Sequence, residues 1–151
     1  IISEIDEYPK DFQIVCICGN NKKAKQQIDE ENWNKEIYSF GFITNVHEYM
    51  DAADILITKP GGLTTSEALA KQLPLILSNP IPGQEDRNIE FLVNAGAALC
   101  ITQTFPLSCA LYQFLDCGWR KHNMVEAITH LGKPNSAEHL YEFIENLDKK
   151  D

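Results

Sequence analysis

An α/β fold, a parallel sheet with helices on both faces, is predicted by three features of this sequence. Short apolar runs at residues 11–18, 36–40, 54–58, 74–78 and 97–102 alternate with stretches that suit helices, and strands joined through helices lie parallel. The run Asp11-Phe-Gln-Ile-Val-Cys-Ile-Cys18 is almost continuously apolar, the pattern of a strand covered on both sides. The junctions Gly19-Asn20-Asn21, Pro60-Gly61-Gly62 and Asn79-Pro-Ile-Pro-Gly83 carry the residues that break one element before the next. A length of 151 residues suffices for one core, and residues 1–151 are read as a single domain.

Taken in order, Ile1, Ile2 and Ile5 share one helix face and read as the second half of a helix. The first strand, residues 11–18, ends at Gly19, and an asparagine after it is placed to cap a polar helix at 22–33. Residues 36–40 form a short strand and 41–44 a loop; 45–52 suit a short helix capped by Thr44 or Asn45, with His47 exposed. Strand 54–58 leads through Pro60-Gly61-Gly62 to a helix that begins at Leu63 or Thr64 and continues through 66–72. Strand 74–78 leads through the proline loop to a helix at 84–94, stopped by Asn94-Ala-Gly96. After strand 97–102, helices at 105–115 and 120–131 are separated by Cys117-Gly118. Gly132-Lys-Pro-Asn135 breaks the chain before a final helix, 137–149, amphipathic through Leu140, Phe143, Ile144 and Leu147.

Composition narrows the class of function. The hydrophobic share of 44% suits a globular protein, and no apolar run approaches the ~20 residues that span a bilayer. A formal net charge of -9 argues against nucleic acid as a partner, and against this surface gripping an anionic membrane. Five cysteines, an odd number without a paired framework, fit a reducing cytoplasm. Cys16 and Cys18 read as strand residues, since no Cys-x-x-Cys or nearby histidine completes a zinc set. Cys100, Cys109 and Cys117 read as core or surface thiols, and no metal or cofactor site is expected.

Two strand-to-helix loops in residues 58–88 carry the chemistry. Pro60 disfavours helix in Lys59, while Gly61 and Gly62 can take positive φ and put no Cβ in a ligand's way. The unpaired N–H groups and positive dipole end of the following helix suit a diphosphate. Thr64 and Thr65 offer further hydroxyl donors. Glu67 has two readings: with Thr64 it fits a capping box, or its two oxygens hold a vicinal diol such as a ribose. In the second loop, Gln84 and Asn88 are four apart and would share a helix face, with Glu85 beside them. Their amides suit sugar hydroxyls; the alternative is an ordinary acidic first turn, Glu85-Asp86. Parallel βα units set both loops on the same sheet edge.

Lys59-Pro-Gly-Gly-Leu-Thr-Thr-Ser-Glu-Ala-Leu-Ala, then Leu73-Pro-Leu-Ile and Asn79-Pro-Ile-Pro-Gly-Gln-Glu-x-Arg-Asn, resemble the C-terminal half of the diacylglycerol glycosyltransferases. That group includes processive diacylglycerol glucosyltransferases and monogalactosyldiacylglycerol synthases, and it is similar to the lipid II-forming N-acetylglucosaminyltransferase. The resemblance is close over residues 41–98 and looser elsewhere. It implies a Rossmann-like α/β lobe, the C-terminal half of a two-lobed GT-B fold, holding a UDP-sugar, with the lobe's first strand missing. Carried over by position, Gly61, Gly62, Leu63, Thr64 and Thr65 meet the diphosphate, Glu67 the ribose, and Gln84, Glu85 and Asn88 the sugar. The turn at Gly19 resembles the C-G-x-N signature at the cleft mouth, against the plainer reading of a helix-capping turn. The backbone at Phe42 and Ile43 would read the edge of uracil, while Phe42 equally fits a core position.

The resemblance implies an inverting hexosyltransferase that moves glucose or galactose from its UDP donor to diacylglycerol, on the cytoplasmic face of the membrane and peripheral to it. The acceptor and membrane contact are then expected through a missing N-terminal lobe, which also supplies the base. No catalytic residue is assigned here, and His47, His122, His130 and His139 are read as surface histidines. The fragment alone is therefore expected to be inactive. The alternatives are a non-catalytic UDP-sugar-binding subunit of a split glycosyltransferase and a lipid II-type UDP-N-acetylglucosamine transferase. A sugar-nucleotide epimerase would need an acidic and histidine constellation that is not found, and a dinucleotide dehydrogenase a G-x-G-x-x-G after a strand.

Overall fold

The computed structural model describes residues 1–78 and 80–148. After the short helix α1 (Ile2–Asp6), strand β1 (Ile14–Ile17), helix α2 (Lys22–Glu30), strand β2 (Ile37–Phe40) and helix α3 (Val46–Ala52) make one half. Strand β3 (Leu56–Thr58), helix α4 (Gly62–Ala70), strand β4 (Leu75–Leu77), helix α5 (Asp86–Asn94) and strand β5 (Ala98–Cys100) make the other. Helices α6 (Leu107–Leu115), α7 (Gly118–Leu131) and α8 (Ser136–Asp148) follow.

Every strand pairing is parallel, as alternation with helices requires, but the sheet is split into β1-β2 and β3-β4-β5. Central β4, Leu75-Ile76-Leu77, is buried along its whole length. A strand covered on both faces has no polar side to alternate with, so all three residues are aliphatic; burying each contributes about 1.5–3 kcal/mol. Helices lie on both faces of β2: Ser39 bonds Lys25 and Asp29 of α2, while the next residue, Phe40, points the other way and packs on Tyr49 of α3 at 5.2 Å. One apolar cluster unites the two ladders, drawing in Ile5 of α1, Met50 of α3, all of β4, and Leu107, Ala110, Leu111 and Phe114 of α6.

Several boundaries differ from the sequence expectation, for local reasons. Helix α2 stops at Glu30 rather than at 33. Its last turn is acidic, opposed to the dipole, and Trp33 folds back to donate its Nε1 hydrogen to the Ile28 carbonyl at 2.8 Å. Asn21 caps α2 by accepting from the Ala24 amide at 3.0 Å. Asn45 holds the cap position of α3 without capping; its side chain donates to Glu48 instead. Helix α7 begins at Gly118, earlier than residue 120, so Cys117-Gly118 is the start of the helix and not a linker. Helix α8 matches the predicted last helix, whose end at Lys149 lies outside the described residues.

Candidate functional site

Helix α4 starts one or two residues earlier than expected, and that changes the part each residue plays. Gly61 is the N-cap, with extended backbone (φ -71, ψ 136), and Gly62 is already the first helical residue. Neither glycine uses positive φ; among the described residues that conformation falls to Gly19, Gly83, Gly96 and Gln72. What Gly61 and Gly62 supply is bareness over a helix N-terminus. Nothing stands within 4 Å of where a Gly62 Cβ would be, so the space above the turn is open.

The first intrahelical bond of α4 runs from the Thr65 amide to the Gly61 carbonyl, 3.1 Å. The amides of Gly62, Leu63 and Thr64 have no acceptor among the described residues, and they share the positive end of the dipole. Thr65 does not add a donor, because its buried hydroxyl donates to the Gly61 carbonyl at 2.9 Å, with the Gly62 carbonyl at 3.2 Å. Thr64, one residue earlier, keeps a hydroxyl with no partner among the described residues.

The capping-box reading of Glu67 is overturned. With Gly61 at the cap, Thr64 lies inside the helix and Glu67 is too far along to reach the end. Its side chain is exposed and has no partner among the described residues. Positions 63, 64 and 67 share a helix face, so the free carboxylate stands on the same side of α4 as the Leu63 and Thr64 amides and the Thr64 hydroxyl. A rise of ~1.5 Å per residue separates them by roughly 4.5–6 Å along the axis.

The second loop is built differently from the expected helix turn. Helix α5 begins at Asp86 with Glu85 at its cap position, so Gln84 precedes the helix and does not share a helical face with Asn88. The cause is a separate turn: the Glu85 amide donates to the Ile81 carbonyl at 3.0 Å, and Gly83 takes φ +79. Buried Glu85 accepts from the Ile81 amide at 2.7 Å, and Asp86 accepts from the Gly83 amide at 2.7 Å. Both acids therefore hold the loop's own backbone. Gln84 is exposed and without a partner among the described residues.

Asn88 joins the two loops. Its Nδ2 donates to the Pro60 carbonyl at 2.7 Å, tying α5 to the turn that starts α4. Glu85 lies there too, its Oε1 3.8 Å from the place of a Gly61 Cβ. Sequence reasoning did not single out the cavity that results, about 200 Å³ lined by Gly62, Thr65, Ser66, Leu69, Asn88, Phe91 and Leu92. Its apolar lining comes from α4 and α5, through Leu69, the exposed Phe91 and the buried Leu92.

On the other half of the sheet edge, Gly19 turns the chain at φ +55, and its carbonyl is 3.7 Å from where a Gly41 Cβ would lie. The loops after β1 and β2 thus abut. Phe42 is 72% exposed, which rules out the core alternative, and Ile43 is half-buried. Burial, with Cys18 nearby, pushes the Cys16 thiol up to about 11, so it stays protonated near neutral pH. The described residues hold no cluster of three His, Cys, Asp or Glu side chains placed to bind a metal.

Residues 2–116 match the glycosyltransferase family 28 C-terminal domain. A processive diacylglycerol beta-glucosyltransferase of Bacillus cereus (strain AH187) is 35% identical over 137 residues, covering 89% of this chain and 35% of that protein. The protein of the same name from Bacillus thuringiensis (strain Al Hakam) is 34% identical over 136 residues, again 89% of this chain and 35% of its own length. The chain therefore spans about a third of the length of these relatives. Among solved structures, MurG of Acinetobacter baumannii superposes with a TM-score of 0.72 at 23% identity, covering 94% of this chain and 43% of that one. The glycosyltransferase VinC, solved with dTDP, superposes with a TM-score of 0.62 at 13% identity, covering 95% and 43%.

Proposed function

Because the chain belongs to glycosyltransferase family 28, as its C-terminal domain and with the Rossmann-like C-terminal half of a GT-B fold, we propose that it binds UDP-glucose or UDP-galactose and that the whole protein transfers the hexose to diacylglycerol. One observation carries the reading: the three open amides of Gly62, Leu63 and Thr64 and the unpartnered Glu67 carboxylate lie on α4 in the order in which a nucleoside diphosphate presents anion and diol. The diphosphate caps α4, and the Thr64 hydroxyl adds a donor. Glu67 accepts from both ribose hydroxyls. Phe42 and the backbone of Ile43 meet the uracil beside Gly19. Gln84 and Asn88 offer amide groups to the sugar; Glu85 fixes the loop that carries Gln84.

The chemistry assigned to this lobe is electrostatic. As the anomeric bond breaks, charge grows on the β-phosphate of the departing UDP, where the preorganised amides stabilise it without reorganising. Deprotonating the acceptor hydroxyl falls to a residue outside this chain. The same holds for membrane contact: none of the described helices is long and apolar enough to cross a bilayer, and the net charge of -9 disfavours an anionic surface. The acceptor assignment draws on the Bacillus relatives, named as diacylglycerol glucosyltransferases. A cytoplasmic enzyme, peripheral on the membrane and without metal or organic cofactor, completes the proposal.

Two experiments test it. In calorimetric titrations the chain is expected to bind UDP and UDP-hexoses weakly and ADP not at all; equal affinity for ADP would refute the uracil assignment. Radiolabelled UDP-glucose and UDP-galactose are then incubated with dioleoylglycerol micelles and either this chain or the full-length protein. Labelled glycolipid is expected from the full-length protein alone. Transfer of N-acetylglucosamine to a lipid-linked muramyl acceptor instead would overturn the choice of substrate.

A further inference from the structure

Asn88 is placed to act on the open amides at the head of α4 although it bonds none of them. Its Nδ2 donates to the Pro60 carbonyl at 2.7 Å, and Pro60 is buried. The first intrahelical bond of α4 ends on the Gly61 carbonyl, so no helix bond holds the Pro60 oxygen and Asn88 takes that place. The Pro60 carbonyl and the Gly61 amide belong to one peptide. A trans peptide is planar, with its C=O and N–H pointing in opposite directions, and the described residues contain no cis peptide. A bond that draws the Pro60 oxygen toward α5 therefore sends the Gly61 hydrogen away from α5.

The Gly61 amide, like those of the next three residues, has no acceptor among the described residues. Buried Glu85 lies close by, but its carboxylate accepts from the Ile81 amide instead. The direction away from α5 is the one that serves a ligand. Residues Gly62, Thr65, Ser66 and Leu69 line the cavity shared with α5, and at about 100° per residue Leu63, Thr64 and Glu67 fall on the opposite flank. The Gly61 hydrogen is turned to that flank, where it lengthens the row of open amides by one. The following peptide is held in the same manner: the Gly61 carbonyl accepts from the Thr65 amide at 3.1 Å and the Thr65 hydroxyl at 2.9 Å, which aims the Gly62 amide.

We propose that Asn88 is a positioning residue for the leaving diphosphate: by holding the Pro60 carbonyl it presents the Gly61 amide as a fourth backbone donor. The proposal rests on the donor reading above, and it gives Asn88 a part different from the sugar contact that the sequence resemblance implies. Its Nδ2 is committed to backbone, which leaves Oδ1 alone for a sugar hydroxyl. Glycine restrains the Pro60–Gly61 peptide little by itself, so the bond from Asn88 is what fixes the direction of the amide. A donor aimed before the charge arrives stabilises it without reorganising.

The test uses the full-length protein with pyrophosphate, UDP and UDP-glucose. Calorimetric titration of Asn88→Ala and Asn88→Leu, well below their melting midpoints, should show affinity reduced about 3- to 10-fold for pyrophosphate and UDP alike, and at least as much for UDP-glucose. Unchanged pyrophosphate and UDP affinity beside weakened UDP-glucose would overturn the proposal and leave Asn88 a sugar contact. A lowered melt with all three affinities intact would overturn it in favour of a purely structural part. The parent protein supplies a measurement that needs no variant: in proton–nitrogen correlation spectra the Gly61 amide should move downfield on addition of pyrophosphate, together with those of Gly62, Leu63 and Thr64. A Gly61 resonance that stays in place while the others move would refute the proposal and spare the donor reading. A parent that binds neither pyrophosphate nor UDP would remove the donor reading itself, and the proposal with it.

Discussion

Replacing Glu67 by alanine separates what builds α4 from what the helix offers to a ligand. The residue is exposed, has no partner among the described residues, and lies too far from the Gly61 cap to hold the helix end. Alanine is the better helix former, so Glu67→Ala should change unfolding free energy by less than about 0.5 kcal/mol. Binding should behave otherwise. Loss of a charged acceptor from a pair of hydroxyls removes about 1.5–3 kcal/mol, a fall in UDP affinity of roughly 10- to 150-fold at 1.4 kcal/mol per decade. Pyrophosphate, which lacks the diol but meets the same amides, should bind the variant nearly as well as the parent. Calorimetry with both ligands and a thermal melt complete the assay. A melt lowered by several degrees, or equal losses for UDP and pyrophosphate, would refute the reasoning.

Asn88→Ala removes the bond to the buried Pro60 carbonyl and should cost about 1–3 kcal/mol, lowering the melting midpoint by several degrees; an unchanged melt would show that the two loops are not coupled there. Gly132→Ala would put a Cβ 2.5 Å from the Leu69 carbonyl oxygen and 3.2 Å from that of Ile128. Backbone cannot give way cheaply, so a loss of about 1–3 kcal/mol is expected, while Gly118→Ala, with nothing within 4 Å, should be neutral or slightly stabilising by denaturant titration. Asp6 sets an acid limit. Burial raises its pKa, but hydrogen bonds from the Asn34 and Lys35 amides and the Asn34 side chain, with the Lys35 charge, outweigh this and hold it below the usual 3.8. A group depressed on folding contributes stability above its unfolded pKa and loses it as pH falls through the folded value. Stability should therefore drop below about pH 4, and Asp6→Asn should flatten that limb in pH-dependent melts.

The alternation of apolar runs with helices was enough to read the parallel pairings, because it reports crossover connections directly. It could not report the split of the sheet, since β1 is as apolar as an interior strand although one of its edges is unpaired. Helix starts were misplaced where capping is indirect. Gly61 caps α4 without a side chain, whereas the Thr64-x-x-Glu67 pattern imitates a box one turn too late. Gln84 and Asn88 have helical spacing in the sequence, yet the Ile81-to-Glu85 turn, closed by a buried carboxylate, takes up Gln84 before α5 begins. Local turn bonds of this kind leave no periodic signal. The neighbouring placement of the two loops was legible from topology, and the Asn88 bond to Pro60 realises it.

The polar groups along residues 58–88 divide by whether the chain has already used them. Thr65, Glu85, Asp86 and the Nδ2 of Asn88 each bond backbone within the two loops, so their chemistry goes into holding the turns still. The amides of residues 62–64, the Thr64 hydroxyl, the Glu67 carboxylate and the Gln84 amide have no such partners among the described residues. Adjacent threonines thus have opposite parts, because a helix turns about 100° per residue and only one of the two can face inward. Exchange of their side chains would show the same division. Thr65→Val removes a hydroxyl whose partner is a carbonyl of its own helix and should tell on stability, whereas Thr64→Val removes a free donor and should tell on diphosphate affinity. The rigid set supplies the geometry that the free set requires: donors held in place before the charge arrives stabilise it without a cost of reordering.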